Sequence, residues 1–218
     1  MVLVQQIKGR KMDNIKVELL LHTPLEIMIN AIRISHRSEY RKDTTGNSLG
    51  PNDKALISVI LKNGHLSVLE HINYTFKIEG LPRGILLELE RHRIGVSITV
   101  ESTRWTLRKL FKDEDDCVEK LHWLTEYISE KELKDYCEFL KSKINIYKND
   151  IAKLFLLESY PSNFIMTINA RALRHIFDLR LDKSAHFIFR DLMRKIRDVL
   201  PYSHIILYED ILKKHNEL

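Results

Sequence analysis

RHRIGVSITVESTRW, residues 91–105, sets two clusters apart by an eight-residue spacer: Arg91, His92 and Arg93 before it, and Ser102, Thr103 and Arg104 after it. Arginine carries a planar, permanently charged fork suited to bidentate phosphate or carboxylate contacts. A basic run is in most chains a solvated face, so this one needs support from its surroundings. Immediately upstream, PRGILLELERHR (82–93) reads as a helix opened by Pro82. That helix would place Arg91, His92 and Arg93 at its C-terminal end, where the helix dipole favours cations. Part of the cluster thus has a purely structural reading. VSITVEST (96–103) is β-branched enough for a strand or an extended loop.

Further out, IKVELLL (15–21) reads as a strand and TPLEIMINAIRISH (23–36) as a helix with Thr23 as N-cap and Pro24 in its first turn. Residues 52–63 are expected to be helical from Asn52 or Asp53, and HINYTFKIE (71–79) alternates as a second strand. Residues 116–129 and 130–158 read as helices. One long helix is expected from about Ala170 to Asp198, stopping before Pro201. SHIILYEDIL (203–212) fits a short strand or a helix. No repeat, low-complexity tract or Pro/Gly-rich linker divides the chain, so residues 1–218 are read as one helix-rich α+β domain.

Composition narrows the class. A chain of 218 residues, 44% hydrophobic and 30% charged, is long enough to bury a core and reads as soluble and globular. The apolar run ALISVIL (55–61) has seven residues, far short of a membrane span. MVLVQQIKGRKM (1–12) lacks a signal-peptide core. Cys117 and Cys137 form no C-x-x-C pair, which suggests neither a disulfide framework nor a cysteine metal site, and points to a reduced, cytoplasmic compartment. The net charge of +5 is spread over Arg/Lys clusters at 91–93, 104–113, 171–183 and 190–197, broken by acids such as KDEDD (112–116). Phosphate affinity scales with such charges, but there is no zinc-finger spacing and no aromatic RNP run. Small anionic ligands account for the clusters equally well.

On the expected long helix, Leu173, Ile176, Phe177, Arg180, Ser184 and Phe187 share one stripe. A guanidinium among apolar neighbours is costly unless an anion or acceptors meet it. An internal pair with Asp or Glu and a bound ligand both satisfy Arg180. Arg171, His175, Asp178 and Asp182 form the opposite stripe, ordinarily solvated. HLSVLEH (65–71) lacks H-E-x-x-H zinc spacing and reads more simply as a loop or helix start capped by Ser67. No serine lies in G-x-S-x-G, and the seven glycines make neither G-x-G-x-x-G nor a P-loop. A bound nucleotide would therefore be held by side chains, and the 91–104 segment is the candidate phosphate cradle.

Three segments in order resemble one family, the flavin-dependent thymidylate synthases (ThyX family). RHRIGVSITVESTRW is similar to its signature, Arg-His-Arg, a spacer, then Ser-x-Arg. HLSVLEH followed by a strand resembles the segment upstream of that signature. TINARALRHIFDLRLDKSAH (167–186) resembles the C-terminal Asn-Ala-Arg … Leu-Arg motif. The similarity runs over roughly residues 60–200.

The resemblance implies an α+β, helix-rich single domain with a small antiparallel sheet, assembled as a homotetramer with FAD and dUMP bound between subunits. It implies that Arg91, His92 and Arg93 contact FAD, with Arg91 also near dUMP. Ser67, Glu101, Asn169, Arg171 and His175 would complete the flavin site. Ser102, Thr103 and Arg104 would cradle the dUMP phosphate, and Arg180, the catalytic candidate, would meet the uracil ring. Glu88 and Lys153 fall at two further substrate-binding positions. The family reaction is the reductive methylation of dUMP to dTMP, with 5,10-methylenetetrahydrofolate as one-carbon donor and NADPH regenerating reduced FAD. No metal, nucleic acid or membrane partner is implied.

The chain departs from the commonest pattern in several places. Its spacer has eight residues where seven is usual, and Thr99 or Val100 falls where Asn is frequent. Glu88 stands at a position often held by Gln, Lys153 at one often held by Arg, and Trp105 at one often held by Tyr. Lysine keeps the charge but loses bidentate geometry. If Glu101–Arg104 keep the family register, the extra residue must be absorbed earlier, as a bulge or irregular loop at 94–99. The competing reading is a non-catalytic nucleotide- or RNA-binding protein using the same arginines.

Overall fold

The computed structural model describes residues 14–110 and 114–218. MVLVQQIKGRKM lies outside the described residues, as does part of KDEDD. The elements are β1 (Lys16–His22), α1 (Leu25–Ser35), α2 (Pro51–Lys62), β2 (Asn73–Pro82), α3 (Arg83–Leu89), β3 (Val96–Val100), α4 (Thr103–Leu110) and α5 (Glu114–Leu121). They continue with α6 (Glu130–Ile146), α7 (Asn149–Ala152), β4 (Pro161–Asn169), α8 (Ala170–Arg180), α9 (Phe187–Val199) and α10 (Glu209–Lys214). Short 3₁₀ turns include Leu66–His71, Lys153–Phe155 and Tyr202–Leu207.

The strands form one sheet in the order β1-β2-β4-β3. Its register is antiparallel. The Thr75 and Thr167 hydroxyls meet at 3.0 Å, while Gly80 N donates to Asn163 Oδ1 at 3.0 Å, so numbers rise along β2 as they fall along β4. On the other side Glu101 N donates to Asn163 O at 2.9 Å, and Asn169 N to Gly95 O at 3.0 Å. Alternation does what period-2 patterning requires: Tyr74, Phe76 and Ile78 of β2 are buried, as are Phe164, Met166 and Ile168 of β4. The helix-rich α+β class with a small antiparallel sheet is thus observed.

Two compact units make up the chain. One comprises Ile78–Glu90 and Thr99–Phe164, with the described residues up to Lys16. Its core joins Leu107, Leu121, Leu133, Leu140, Ile144 and Tyr160. Ser129 caps α6 in a reciprocal box with Glu132. Cys117 and Cys137 are joined as a disulfide, their Cα atoms 5.8 Å apart. That overturns the expectation of two separate thiols: a bridge needs proximity in space, which the packing of α5 on α6 supplies whatever the sequence spacing.

The other unit comprises Val17–Lys77, Arg91–Ile98 and Ile165–Leu218. Leu25, Met28 and Ile32 of α1, Ile57 of α2, Ile176 and Phe177 of α8 and Phe189 and Leu192 of α9 are buried in it. Inside it Arg33 donates to Asp53 Oδ1 through Nε at 2.8 Å and Nη2 at 2.6 Å, with both residues buried. A second buried network links Asn47 to His204, His204 to Tyr74 and Tyr74 to Tyr208. Burial, then the neighbouring His22, pushes the His204 pKa down to about 4, so it stays neutral at neutral pH.

Several element boundaries differ from expectation for identifiable reasons. Pro24, in extended geometry, precedes α1, and Thr23 Oγ1 accepts from Asn73 N at 3.2 Å instead of capping the helix. The first-turn N–H groups of Asn52 and Asp53 are capped by the remote Asp43 carboxylate, at 2.8 and 3.0 Å, so α2 starts at Pro51. The 130–158 helix stops at Ile146, where Arg108 Nη2 takes up the Ile144 and Tyr147 carbonyls. The long 170–198 helix is two helices. Asp182 Oδ1 accepts from both the N–H and hydroxyl of Ser184, an alternative to helical pairing, and His186 Nδ1 caps α9. SHIILYEDIL is a 3₁₀ turn and the start of a helix, separated at Tyr208, and Ser67 is not a cap.

Asp53 has a lowered pKa. Burial pushes it up, but hydrogen bonds from the Asp43 N–H, Thr44, Arg33 and Asp43 outweigh that. A depressed carboxylate contributes stability at neutral pH that is lost as pH falls through its folded value. Asp53→Ala should cost about 3–5 kcal/mol, the range for breaking a buried pair. Urea denaturation at neutral pH measures it, and the gap from wild type should shrink in acid below the usual carboxylate range.

Candidate active site

In the first unit, Glu101, Ser102, Thr103, Arg104 and Lys153 line one cavity of about 220 Å³. Its position follows from local structure. β3 delivers Glu101, and Glu101 is fixed there: its carboxylate accepts from Asn163 Nδ2 at 2.9 Å and from the Thr106 hydroxyl at 3.2 Å. Ser102 and Thr103 stand where α4 begins, and Ser102 O accepts from Trp105 N and Thr106 N. A helix start adds positive potential from its unpaired N–H groups. Arg104 is half-exposed, paired with Asp150 at 2.7 Å and lying 5.7 Å over the Trp105 ring.

Arg83 lines the same cavity and was missed by sequence reasoning. Its backbone N–H donates to Tyr160 O at 3.0 Å. A cation in the first turn of α3 opposes the helix dipole, and that mismatch was the available signal. Glu88, half-buried on α3, is not among the residues lining this cavity.

α3 ends at Leu89, so Arg91, His92 and Arg93, which belong to the second unit, lie just beyond its last turn. Arg91 and Arg93 are exposed, His92 half-buried. Arg180 Nε donates to His92 Nε2 at 3.3 Å, its guanidinium lies 4.5 Å over the Phe189 ring, and His175 stands edge-on to His92 at 6.1 Å. Burial lowers the His92 pKa, and the charges of Arg180, His175 and Arg91 lower it further. Neutral imidazole is the form whose Nε2 can accept from Arg180. On α8, Leu173, Ile176 and Phe177 are buried and Arg180 half-buried, as its stripe requires. Ser184 is exposed beyond the helix end.

Of the bulge or irregular loop expected at 94–99, the structure has an irregular turn at Ile94 and Gly95 and no bulge in the strand after it. Residues 96–100 are regular strand, and the β3–β4 pairs at both ends, 95 with 169 and 101 with 163, keep one register. The chain turns at Ile94 and Gly95 before the strand begins. Gly95 has φ +71, and a Cβ there would lie 2.4 Å from Asn169 Nδ2. Asn169 in turn caps α8, its Oδ1 accepting from Ala172 N at 2.8 Å.

Asn169, Arg171 and His175 line a cavity of about 740 Å³ with Leu66, Ile94 and Ile211. Arg171 Nη1 donates to Glu70 Oε1 at 2.6 Å. Ser67 sits exposed on the turn whose Leu66 and Glu70 line the cavity. The volume suits a sizeable ligand. Apolar side chains for a flat ring, an amide, and cations for phosphates make a donor set that fits a flavin dinucleotide. Among the described residues no group of three or more His, Cys, Asp or Glu is placed to hold a metal.

These features are compatible with a site for a large anionic ligand. Residues 18–202 match the model of the family described as thymidylate synthase complementing protein, and the chain belongs to this family of flavin-dependent thymidylate synthases. The flavin-dependent thymidylate synthase of Campylobacter jejuni (strain RM1221) is 36% identical over 214 residues, spanning 93% of this chain and 100% of that protein. That of Wolinella succinogenes is 39% identical over 204 residues, 88% of this chain and 96% of the relative. The structure of Helicobacter pylori thymidylate synthase X with FAD and dUMP matches with a TM-score of 0.76 at 35% identity, over 91% of this chain and 99% of that one.

Gly95→Ala should displace Asn169, remove the α8 cap at a cost of about 1 kcal/mol, and strain a left-handed backbone position. Thermal melting should fall and FAD affinity should drop with it. Normal melting and normal FAD affinity would show that the Gly95–Asn169 contact is dispensable.

Proposed function

We propose that this protein is a flavin-dependent thymidylate synthase that converts dUMP to dTMP, with FAD as cofactor, 5,10-methylenetetrahydrofolate as one-carbon donor and NADPH as reductant. The observation that carries the reading is the convergence of Ser102, Thr103, Arg104 and Lys153 on one cavity in a chain of this family. In this reading Ser102, Thr103 and Arg104 bind the dUMP phosphate, with Lys153 and the newly found Arg83 adding charge. Arg104 must then exchange Asp150 for the phosphate, a small loss for a half-exposed pair. Arg91 and Glu88 complete the substrate contacts.

Arg180 would stand beside the uracil ring, where a fixed cation favours the polarised, electron-rich pyrimidine. Neutral His92 holds its Nε–H, and the Phe189 face restrains the guanidinium plane, so the charge is positioned before substrate arrives. Asn169, Arg171, His175, Arg91, His92, Arg93, Ser67 and Glu101 form the proposed flavin contacts. When bound and reduced, FAD supplies the hydride. The protein's own part is to bind, orient and polarise. Ser102 has no visible base beside it in the sequence and is assigned to phosphate binding.

The working enzyme is proposed to be a cytoplasmic homotetramer of single-domain chains, acting on dUMP without nucleic acid or membrane. Among the described residues no helix is long and apolar enough to cross a membrane. Cytosolic thiols tend to open disulfides, so a cytoplasmic protein should tolerate reduction of the Cys117–Cys137 bridge without losing activity.

Purified protein should take up FAD with its flavin absorbance and form dTMP from dUMP only when FAD, the folate donor and reductant are all present. Arg180→Ala should keep FAD and fold while dUMP turnover collapses. Arg104→Ala should weaken dUMP binding by about 1.5–3 kcal/mol, the range for a charge-assisted hydrogen bond, with FAD binding little changed. Protein that stays colourless with added FAD and binds polynucleotide instead would replace this reading with the binding-protein one.

A further inference from the structure

The family match ends at residue 202, yet the 740 Å³ cavity draws part of its wall from beyond it. Asp210, Ile211 and Lys214 of α10 line it together with Arg171, Arg174 and Asp178 of α8. Three ion pairs stand around the space: Arg171 with Glu70 at 2.6 Å, Arg174 with Asp210 at 2.7 Å, and Lys214 with Asp178 at 2.7 Å. They are not equivalent. The Arg174 side chain is 9% exposed, meets both Asp210 oxygens and also donates to the Leu207 carbonyl. Its donors are committed, and it works as a strut between α8 and the C-terminal segment.

Arg171 and Lys214 differ in kind. Their side chains are 52% and 62% exposed, and pairs so exposed are weak. The three cations and three carboxylates of the lining cancel. A dinucleotide's diphosphate therefore needs a cation able to leave its carboxylate. Arg171 belongs to the Asn-Ala-Arg motif, but no motif covers Lys214. Its flexible four-carbon stem and compact ammonium suit a phosphate oxygen, and the hydrogen bond it donates to Asp178 raises its pKa, keeping it charged. Lys213, one residue earlier, pairs with Glu209 and does not line the cavity, which makes it a charge-matched control.

We propose that Lys214 is a cofactor-binding residue whose ammonium, held by Asp178 before the ligand arrives, passes to the diphosphate of FAD in this cavity. The proposal rests on the reading that the cavity takes the flavin. The test titrates full-length apoprotein with FAD and, separately, with riboflavin, which has no phosphate, following flavin fluorescence at several salt concentrations. Lys214→Ala and Lys214→Gln should each weaken FAD binding about tenfold or more, flatten its salt dependence, and leave riboflavin binding within about twofold of wild type. Lys213→Ala should leave both within the same margin. Asp178→Asn, which frees the ammonium, should bind FAD as well as wild type or better.

Wild-type FAD affinity in both Lys214 variants would overturn the proposal. So would equal losses of FAD and riboflavin, which would make Lys214 part of the wall and not a phosphate ligand. A matching loss in Lys213→Ala or Asp178→Asn would overturn it too, pointing to net charge or to the ion pair itself. If wild-type protein bound neither flavin, the assignment of the cavity would fall, and this proposal with it.

Discussion

The close approach of Asn169 to Gly95 organises the residues around the larger cavity. β4 ends at Asn169 and α8 begins at the next residue. Asn169 thus closes the β3–β4 ladder through its backbone N–H, caps α8 through its side chain, and fills the space a Cβ on residue 95 would need. Three consequences follow from that one contact. The turn after Arg93 must carry glycine. β3 enters the sheet in a fixed register. And α8 starts at a defined residue, so that Arg171, His175 and Arg180 fall where its turns place them. Moving the cap by one residue would rotate all three by about 100° around the helix.

Electrostatics then does what glycine loops do in other nucleotide folds. With neither a P-loop nor a dinucleotide fingerprint, positive potential comes from side chains and from one helix start. In one unit Arg83, Arg104, Lys153 and the beginning of α4 gather around a small cavity. In the other, Arg180 lies against neutral His92 and the Phe189 face. Had His92 been protonated, the pair would repel and the ring could not accept. Burial and the surrounding cations keep it neutral.

Much of this was legible in the sequence where a motif or a period carried it. The paired clusters of 91–104 and the α8 stripe were read directly, and β2 announced itself by alternation. Features set by remote partners were not legible. Asp43 capping α2 across nine residues, Cys117 meeting Cys137 across α5 and α6, and Thr23 spending its hydroxyl on Asn73 all need the folded chain. The break between α8 and α9 is an intermediate case. Asp182-x-Ser184 followed by His186 spells a turn and a cap, but continuous helical periodicity masked it. Arg83 was hidden by its place beside Pro82, where it read as part of an ordinary helix start. The bulge or irregular loop expected at 94–99 is, in the structure, a turn built on the left-handed Gly95 followed by regular strand.

In the proposed function Ser102 and Arg104 reach the substrate phosphate despite the longer spacer. A crystal structure of the protein with FAD and dUMP tests it most directly. The dUMP phosphate is expected within hydrogen-bond reach, about 3 Å, of Ser102 Oγ and the Arg104 guanidinium, with Arg104 released from Asp150. A phosphate remote from both residues, with the Arg104–Asp150 pair intact, would contradict it.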